Sequence, residues 1–169
     1  GFHLLDAGPL LLDGVGFAGN SLWYDHSLAA GPAGPGNDYE GKILAGRLAW
    51  NDAQFVRLGK SDGEYASELL ARLERDIAGL EAQCERIVVV THHVGFPELL
   101  SSVADEPELN FRNAYMGSRR LGEMLLAHPK VRVHVCGHSH CPARLRIGGL
   151  EVINPGSSYG EKKYSLFEI

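Results

Sequence analysis

Histidines carry the most distinctive chemistry in this chain. His138 and His140 stand two residues apart directly after Gly137, at the end of the alternating run Val131-Arg-Val-His-Val-Cys136. Earlier, a second apolar run, Ile87-Val-Val-Val-Thr91, ends in His92-His93 in the same manner. A neutral imidazole donates a lone pair near pH 7, which makes histidine the commonest ligand for zinc, manganese and iron. A lone histidine on a strand is an ordinary packed residue, and that reading suffices for His3, His26, His128 and His134. Three at strand ends are different, because desolvating them together needs a partner and a cation supplies it. His92, His138 and His140 are therefore the expected metal ligands. His93 is the expected neighbour, supporting the ligands or facing the substrate.

The elements around these residues must bring the two strand ends together. Ile87–Thr91 is too short for a helix and β-branched, which predicts a central parallel strand. Val131–Cys136 predicts a second strand with Val131, Val133 and Val135 on one face. Between them Ser118 can cap a helix over Arg119–His128, with Leu121, Met124 and Leu125 inward and Pro129 as its stop, so the strands are joined by a right-handed crossover. Upstream, Ser61-Asp-Gly-Glu64 reads as a capping box opening a helix with Tyr65, Leu69, Leu73, Ile77 and Leu80 at helical spacing and a Glu68–Arg72 pair on its surface. The long connection from His93 to Met116, with Pro97 and Pro107, is of the kind that walls a site.

The rest of the chain reads more loosely. Phe2–Leu5 and Leu10–Phe17 are predicted strands joined by a turn at Asp6-Ala-Gly-Pro9, followed by an aromatic-rich loop over Ala18–His26 and a Gly/Pro-rich surface loop over Ala29–Asn37. Residues 42–56 fit strand and helix equally. Downstream, Ala143–Ile147 and Leu150–Ile153 flank Gly148-Gly149 as a hairpin, Asn154-Pro-Gly-Ser157 is a turn, and Lys163–Ile169 is a candidate last strand. One α/β domain over residues 1–169 accounts for the pattern.

Composition narrows the function classes. The 169 residues are 44% hydrophobic and 22% charged, enough for one core. No run reaches the roughly 18 apolar residues of a membrane span. A formal charge of −5 with 16 dispersed basic residues gives no footprint for nucleic acid or anionic lipid. A small-molecule partner is expected. The three cysteines, odd in number and without a C-x-x-C pair, fit reduced thiols in a cytoplasm.

Val88-Val-Val-Thr-His-His93 followed by Cys136-Gly-His-Ser-His140, with Cys141-Pro142 and Asn154-Pro-Gly-Ser157 after it, resembles the carboxyl-terminal half of a calcineurin-like metallophosphoesterase of the bacterial and archaeal phosphodiesterase branch. The resemblance implies an αββα fold, a β-sandwich flanked by helices, present here as its carboxyl-terminal part. It also implies two divalent transition-metal ions (manganese, iron or zinc) and attack on a phosphate mono- or diester by a metal-bridging hydroxide. By position His92 and His138 resemble ligands of one ion, and His140 a ligand of the other.

The chain departs from that family in its first part. The Asp-x-His, Gly-Asp-x-x-Asp and Asn-His-Asp/Glu motifs are absent, and Gly19-Asn20 is followed by Ser21 where a histidine would stand. Neutral imidazoles alone cannot hold two divalent ions roughly 4 Å apart, so the 169 residues alone are expected to bind one ion at most and to be inactive. Should they hold two, Asp13 or Asp25 would be the completing carboxylates. Three readings follow: a phosphoesterase acting on a small-molecule phosphate ester once its amino-terminal half is present; a non-catalytic interaction scaffold of the same fold; and a mononuclear zinc hydrolase on three histidines. Loss of a shared core would leave Val88, Val90, Val133 and Val135 exposed, implying a dimer or association with the missing half.

Overall fold

The run Ile87-Val-Val-Val-Thr91 lies in the interior of a six-stranded sheet. The computed structural model describes residues 2–100 and 107–169. In chain order the elements are β1 (Leu10–Leu12), β2 (Val15–Asn20), β3 (Ile43–Leu44), β4 (Arg47–Leu48), α1 (Asp52–Phe55), α2 (Asp62–Glu81), β5 (Arg86–Thr91), α3 (Pro107–Asn113), α4 (Arg119–Ala127), β6 (Val131–Val135), β7 (Ala143–Ile147) and β8 (Leu150–Asn154). The sheet order is β1-β2-β5-β6-β8-β7. Its four inner strands pair in parallel, and the edge strands β1 and β7 pair antiparallel through hairpins. This is a mixed α/β architecture with a mostly parallel central sheet flanked by helices. Beyond that sheet, the described residues contain only the two-stranded β3–β4 ribbon.

Helix α2 begins as its sequence predicts. The Ser61 side chain accepts from the Glu64 amide while Glu64 reaches back to the Ser61 N–H. Its buried stripe is Ala66, Leu70, Leu73, Ile77 and Leu80, with Tyr65 and Leu69 only half-buried, so the inward face is turned by about one residue from the expected one at its start. Each fully buried leucine or isoleucine contributes about 1.5–3 kcal/mol. The Glu68–Arg72 pair does not form. Glu68 instead takes the Lys60 ammonium at 2.6 Å, and Arg72 donates to the Asp6 carbonyl. Helix α4 is capped by Ser118 and buries Leu121 and Leu125. Together α2 and α4 cover one face of the sheet, packing on Ile87, Val89, Val131 and Val152.

Several expectations change for identifiable reasons. Phe2–Leu4 forms no strand, and Leu5–Ala7 is a single 3₁₀ turn. The amino-terminal hairpin turns at Asp13-Gly14, both at positive φ (50° and 79°), the two-residue geometry that Asp-Gly favours. Residues 18–26 are not a plain surface loop: β2 continues to Asn20, and Leu22 and Tyr24 are fully buried. The ambiguous stretch 42–56 resolves into β3, β4 and the single turn α1.

Strand β6 does not keep Val131, Val133 and Val135 on one face. Val131 pairs with Ile87 but Val133 pairs with Val88, so Arg132 is an extra residue, a bulge that reverses the alternation. Val131 then faces the helices, while Val133 and Val135 join Val15, Val88 and Ile153 on the opposite face.

The tail Lys163–Ile169 is not a strand. Ser157 Oγ bonds both the Lys163 carbonyl and its amide (2.9 and 2.8 Å), closing a turn. The chain after that turn brings Phe167 and Ile169 onto the second face of the sheet. Val88 and Val133 are thereby buried, contrary to the exposure expected of them, Val135 is half-buried, and Val90 stays 37% exposed. Among the described residues no helix is long and apolar enough to cross a membrane.

Candidate metal centre

The carboxyl ends of β5, β6 and β8 meet at one rim of the sheet, where ligands of open parallel sheets collect. The Gly137 amide donates to the His92 carbonyl at 3.0 Å, carrying the β5–β6 pairing one step past the strands. His138 and His140 both sit in the left-handed region, at φ 58° and 56°. For a residue with a side chain this conformation costs of order 1 kcal/mol or more, so the surroundings must hold it. Asn154, at the end of β8 and 2% exposed, is the clamp. Its Nδ2 donates to the Gly137 carbonyl and to Ser139 Oγ, both at 3.0 Å, and its Oδ1 accepts from the Gly156 amide at 2.9 Å. The expected turn at Asn154–Ser157 is thus also the fastening of the histidine loop.

Within that loop, His138 Nδ1 lies 3.0 Å from His92 Nε2. His138 Nε2 is 3.2 Å from the Tyr115 carbonyl, which can only accept, so Nε2 carries the proton and Nδ1 offers its lone pair toward His92. A metal-binding imidazole has the same arrangement, donating its far N–H to a carbonyl or carboxylate. Two nitrogens on one tetrahedral ion at 2.0–2.1 Å each lie roughly 3.3 Å apart. The pair therefore fits a single ion with little movement. Burial pushes His138 down to about 4 and, together with the charge of His140, holds His92 below its ordinary value, so both rings are neutral near pH 7, with His92 Nε2–H donating to His138 Nδ1 where an ion would take the place of that proton.

His140 lines the same cleft but stands apart from this pair, its ring edge-on to Tyr159 at 5.3 Å. Among the described residues the three histidines do not bring their nitrogens within 4.8 Å of one another. His93 lies behind His138, ring centroids 4.4 Å apart, 3% exposed, with Nδ1 3.0 Å from the Ser21 carbonyl. Burial lowers it to about 3. It is not among the residues that line the cleft. His134 is fully buried on Thr91 Oγ1 at 2.9 Å, as a packed histidine. Burial raises the Cys136 thiol to about 12, and its Sγ–H faces the Ile153 carbonyl, as in a packed apolar residue.

The cleft in front of the histidines has a volume of about 840 Å³. Its walls include Asp52, Arg112, Ser157, Tyr159 and Lys162, none of which the sequence reading placed at the site. Arg112 comes from α3, so the connection after β5 does wall the site, although its residues 101–106 lie outside the described ones. Asn20 is a structural residue: Oδ1 accepts from Leu22 N–H and Nδ2 donates to the Leu69 carbonyl.

A second donor group, His26, Glu40 and Asp62, lies elsewhere with its donor atoms within 4.8 Å of one another. His26 Nε2 is 3.4 Å from Asp62 and Nδ1 3.9 Å from Glu40. Asp62, however, is already neutralised by the buried Lys42 ammonium and takes Trp23 Nε1–H at 2.8 Å. A cation there would have to displace that lysine. No sequence pattern announced this cluster, because its three members come from separate segments.

No protein-family model and no curated protein sequence matches the chain. The crystal structure of a phosphopantetheinyl hydrolase from Mycobacterium tuberculosis matches with a TM-score of 0.59 over 83% of this chain and 48% of that one, at 17% identity. The chain thus spans about half the length of that hydrolase, and what the two share is the fold.

Proposed function

We propose that this chain is the carboxyl-terminal part of a calcineurin-like metallophosphoesterase that, when complete, hydrolyses a phosphate mono- or diester. The observation that carries the reading is the His92–His138 nitrogen pair at 3.0 Å, at the ends of adjacent parallel strands, with the proton of His138 fixed on its far nitrogen by Tyr115. The fold shared with a phosphopantetheinyl hydrolase agrees with it. His92 and His138 would hold one divalent ion, manganese, iron or zinc, and His140 would reach toward a second. Such an ion supplies an activated water and stabilises charge on phosphoryl oxygens.

The chain's own residues do the rest. Asn154 holds the histidine loop in its left-handed conformation, and His93 supports His138 from behind. Arg112 and Lys162 set positive charge on the cleft walls where an anionic ester would enter. The αββα sandwich would be completed by a second sheet over the face bearing Val15, Val88 and Val133, which in this chain is covered by Phe167 and Ile169 while Val90 stays partly exposed.

The test is turnover of a chromogenic phosphodiester and phosphomonoester by a protein that carries the amino-terminal half, with and without added manganese, iron or zinc. Metal-dependent hydrolysis is expected. Silence under every metal would favour the interaction-scaffold reading.

A further inference from the structure

A divalent ion held only by neutral imidazoles keeps its whole charge, and a carboxylate is the usual compensation. The two aspartates suggested by the sequence are elsewhere. Asp13 forms the β1–β2 turn. Asp25 is spent on Ser27, through Oδ1, and on Ser118, through Oδ2.

Asp52 is placed differently. It opens α1 and lines the cleft with His92 and His138. Its Oδ2 accepts from Tyr24 Oη–H and from Trp50 Nε1–H, both at 2.9 Å, while Oδ1 takes no hydrogen bond among the described residues. Tyr24 is fully buried, which fixes its hydroxyl. Trp50 is stacked on Tyr115, ring centroids 4.6 Å apart and planes 14° apart. The Tyr115 carbonyl is the group that orients His138. One tyrosine therefore holds both the ledge bearing the carboxylate and the ring that offers its lone pair. Among the described residues no trio of donors containing Asp52 lies within 4.8 Å, so its action is across the cleft and not as a direct ligand.

We propose that Asp52 is the counter-charge of this centre, a carboxylate anchored by Tyr24 and Trp50 that raises the affinity of the His92–His138 pair for a divalent cation. This rests on the metal reading above. It also gives a role to the Trp50-Asn-Asp52 segment, which periodicity left without one. Outer partners of this kind change metal affinity by roughly 10–100-fold.

The experiment is calorimetric titration of the 169-residue chain with Zn²⁺ and Mn²⁺, in the wild type, Asp52→Asn, Trp50→Phe, His138→Ala and the exposed control Glu123→Gln. Asp52→Asn should bind about 10–100-fold more weakly, and Trp50→Phe should bind several-fold more weakly. The deficit of Asp52→Asn should narrow as salt rises, because a charge acting through the cleft is screened. Glu123→Gln should match the wild type. Equal affinity in Asp52→Asn and wild type would overturn the role of Asp52 while leaving the metal site standing. A wild type that binds no metal, or binding untouched by His138→Ala, would overturn the metal reading itself. Should Asp52→Asn fail to fold, Trp50→Phe decides, since it keeps the carboxylate and releases one anchor: undiminished affinity there would overturn the proposal.

Discussion

Asn154 holds the peptide of Gly137, with Nδ2 donating to the Gly137 carbonyl at 3.0 Å across the ends of β8 and β6. Through that bond and the one to Ser139 Oγ, a buried amide on one strand sets the backbone that presents His138 and His140. Removing the amide leaves the Gly156 amide without its partner and the Gly137 carbonyl with only the Ser139 amide, and it frees the loop from its left-handed conformation. Asn154→Ala should destabilise the chain by about 2 kcal/mol and lower metal affinity as well. Thermal melts and metal titration together check this; a variant that loses stability but binds metal normally would show that the loop keeps its shape without the clamp.

Acid should loosen the fold through its buried histidines. His134 is lowered by burial to about 3, against about 6.5 when unfolded. Between those values the unfolded chain binds a proton that the folded chain refuses, so stability is whole above about pH 6.5 and falls as the pH drops toward 3. The slope is roughly 1.4 kcal/mol per pH unit for each such histidine, and His93, also lowered to about 3, adds to it. Denaturant melts from pH 7.5 to 4.5 should show His134→Gln with a shallower slope than the wild type. Parallel slopes would mean that His134 ionises as freely in the folded chain as in the unfolded one.

Close packing of α4 gives a prediction independent of the metal. A Cβ on Gly122 would meet the Gly95 carbonyl oxygen at 2.3 Å and the Phe96 ring at 2.9 Å. Backbone cannot yield as a flexible side-chain tip does, so Gly122→Ala should destabilise by about 1–3 kcal/mol despite its higher helix propensity. A melt unchanged from the wild type would mean that α4 can lift from the β5 connection at no cost.

The capping box offers a milder comparison. Ser61→Ala removes the acceptor for the Glu64 amide at the start of α2 and should cost about 1 kcal/mol. Urea melts of the two variants should therefore rank Gly122→Ala at or below Ser61→Ala in stability, and the reverse order would contradict the packing argument at Gly122.

What was legible in the sequence was what periodicity and local chemistry encode. β5, α2 with its cap, α4 and the β7–β8 hairpin follow from β-branched runs, helical spacing and turn residues. The histidines at strand ends were visible because a strand fixes where its last side chains go. The bulge at Arg132 was not, because the alternation of Val131, Val133 and Val135 reads the same whether or not a residue is skipped. Asp13-Gly14 and Asp6-Ala-Gly-Pro9 are competing turn signals in the sequence, and the hairpin forms at the former. The tail had strand-like composition, but its path is set by Ser157, a side-chain contact no periodicity reports. Asp52, Arg112 and Asn154 reach the site from segments far apart in sequence, and only the fold brings them to His138.

Whether the His92–His138 pair holds a divalent ion is read out by zinc K-edge X-ray absorption on the zinc-loaded, dialysed chain. Retained zinc with imidazole nitrogens at about 2.0–2.1 Å is expected in the wild type, with loss of that imidazole signature in His92→Ala and in His138→Ala. A chain that retains no zinc, or a spectrum that both substitutions leave unchanged, would contradict the metal reading.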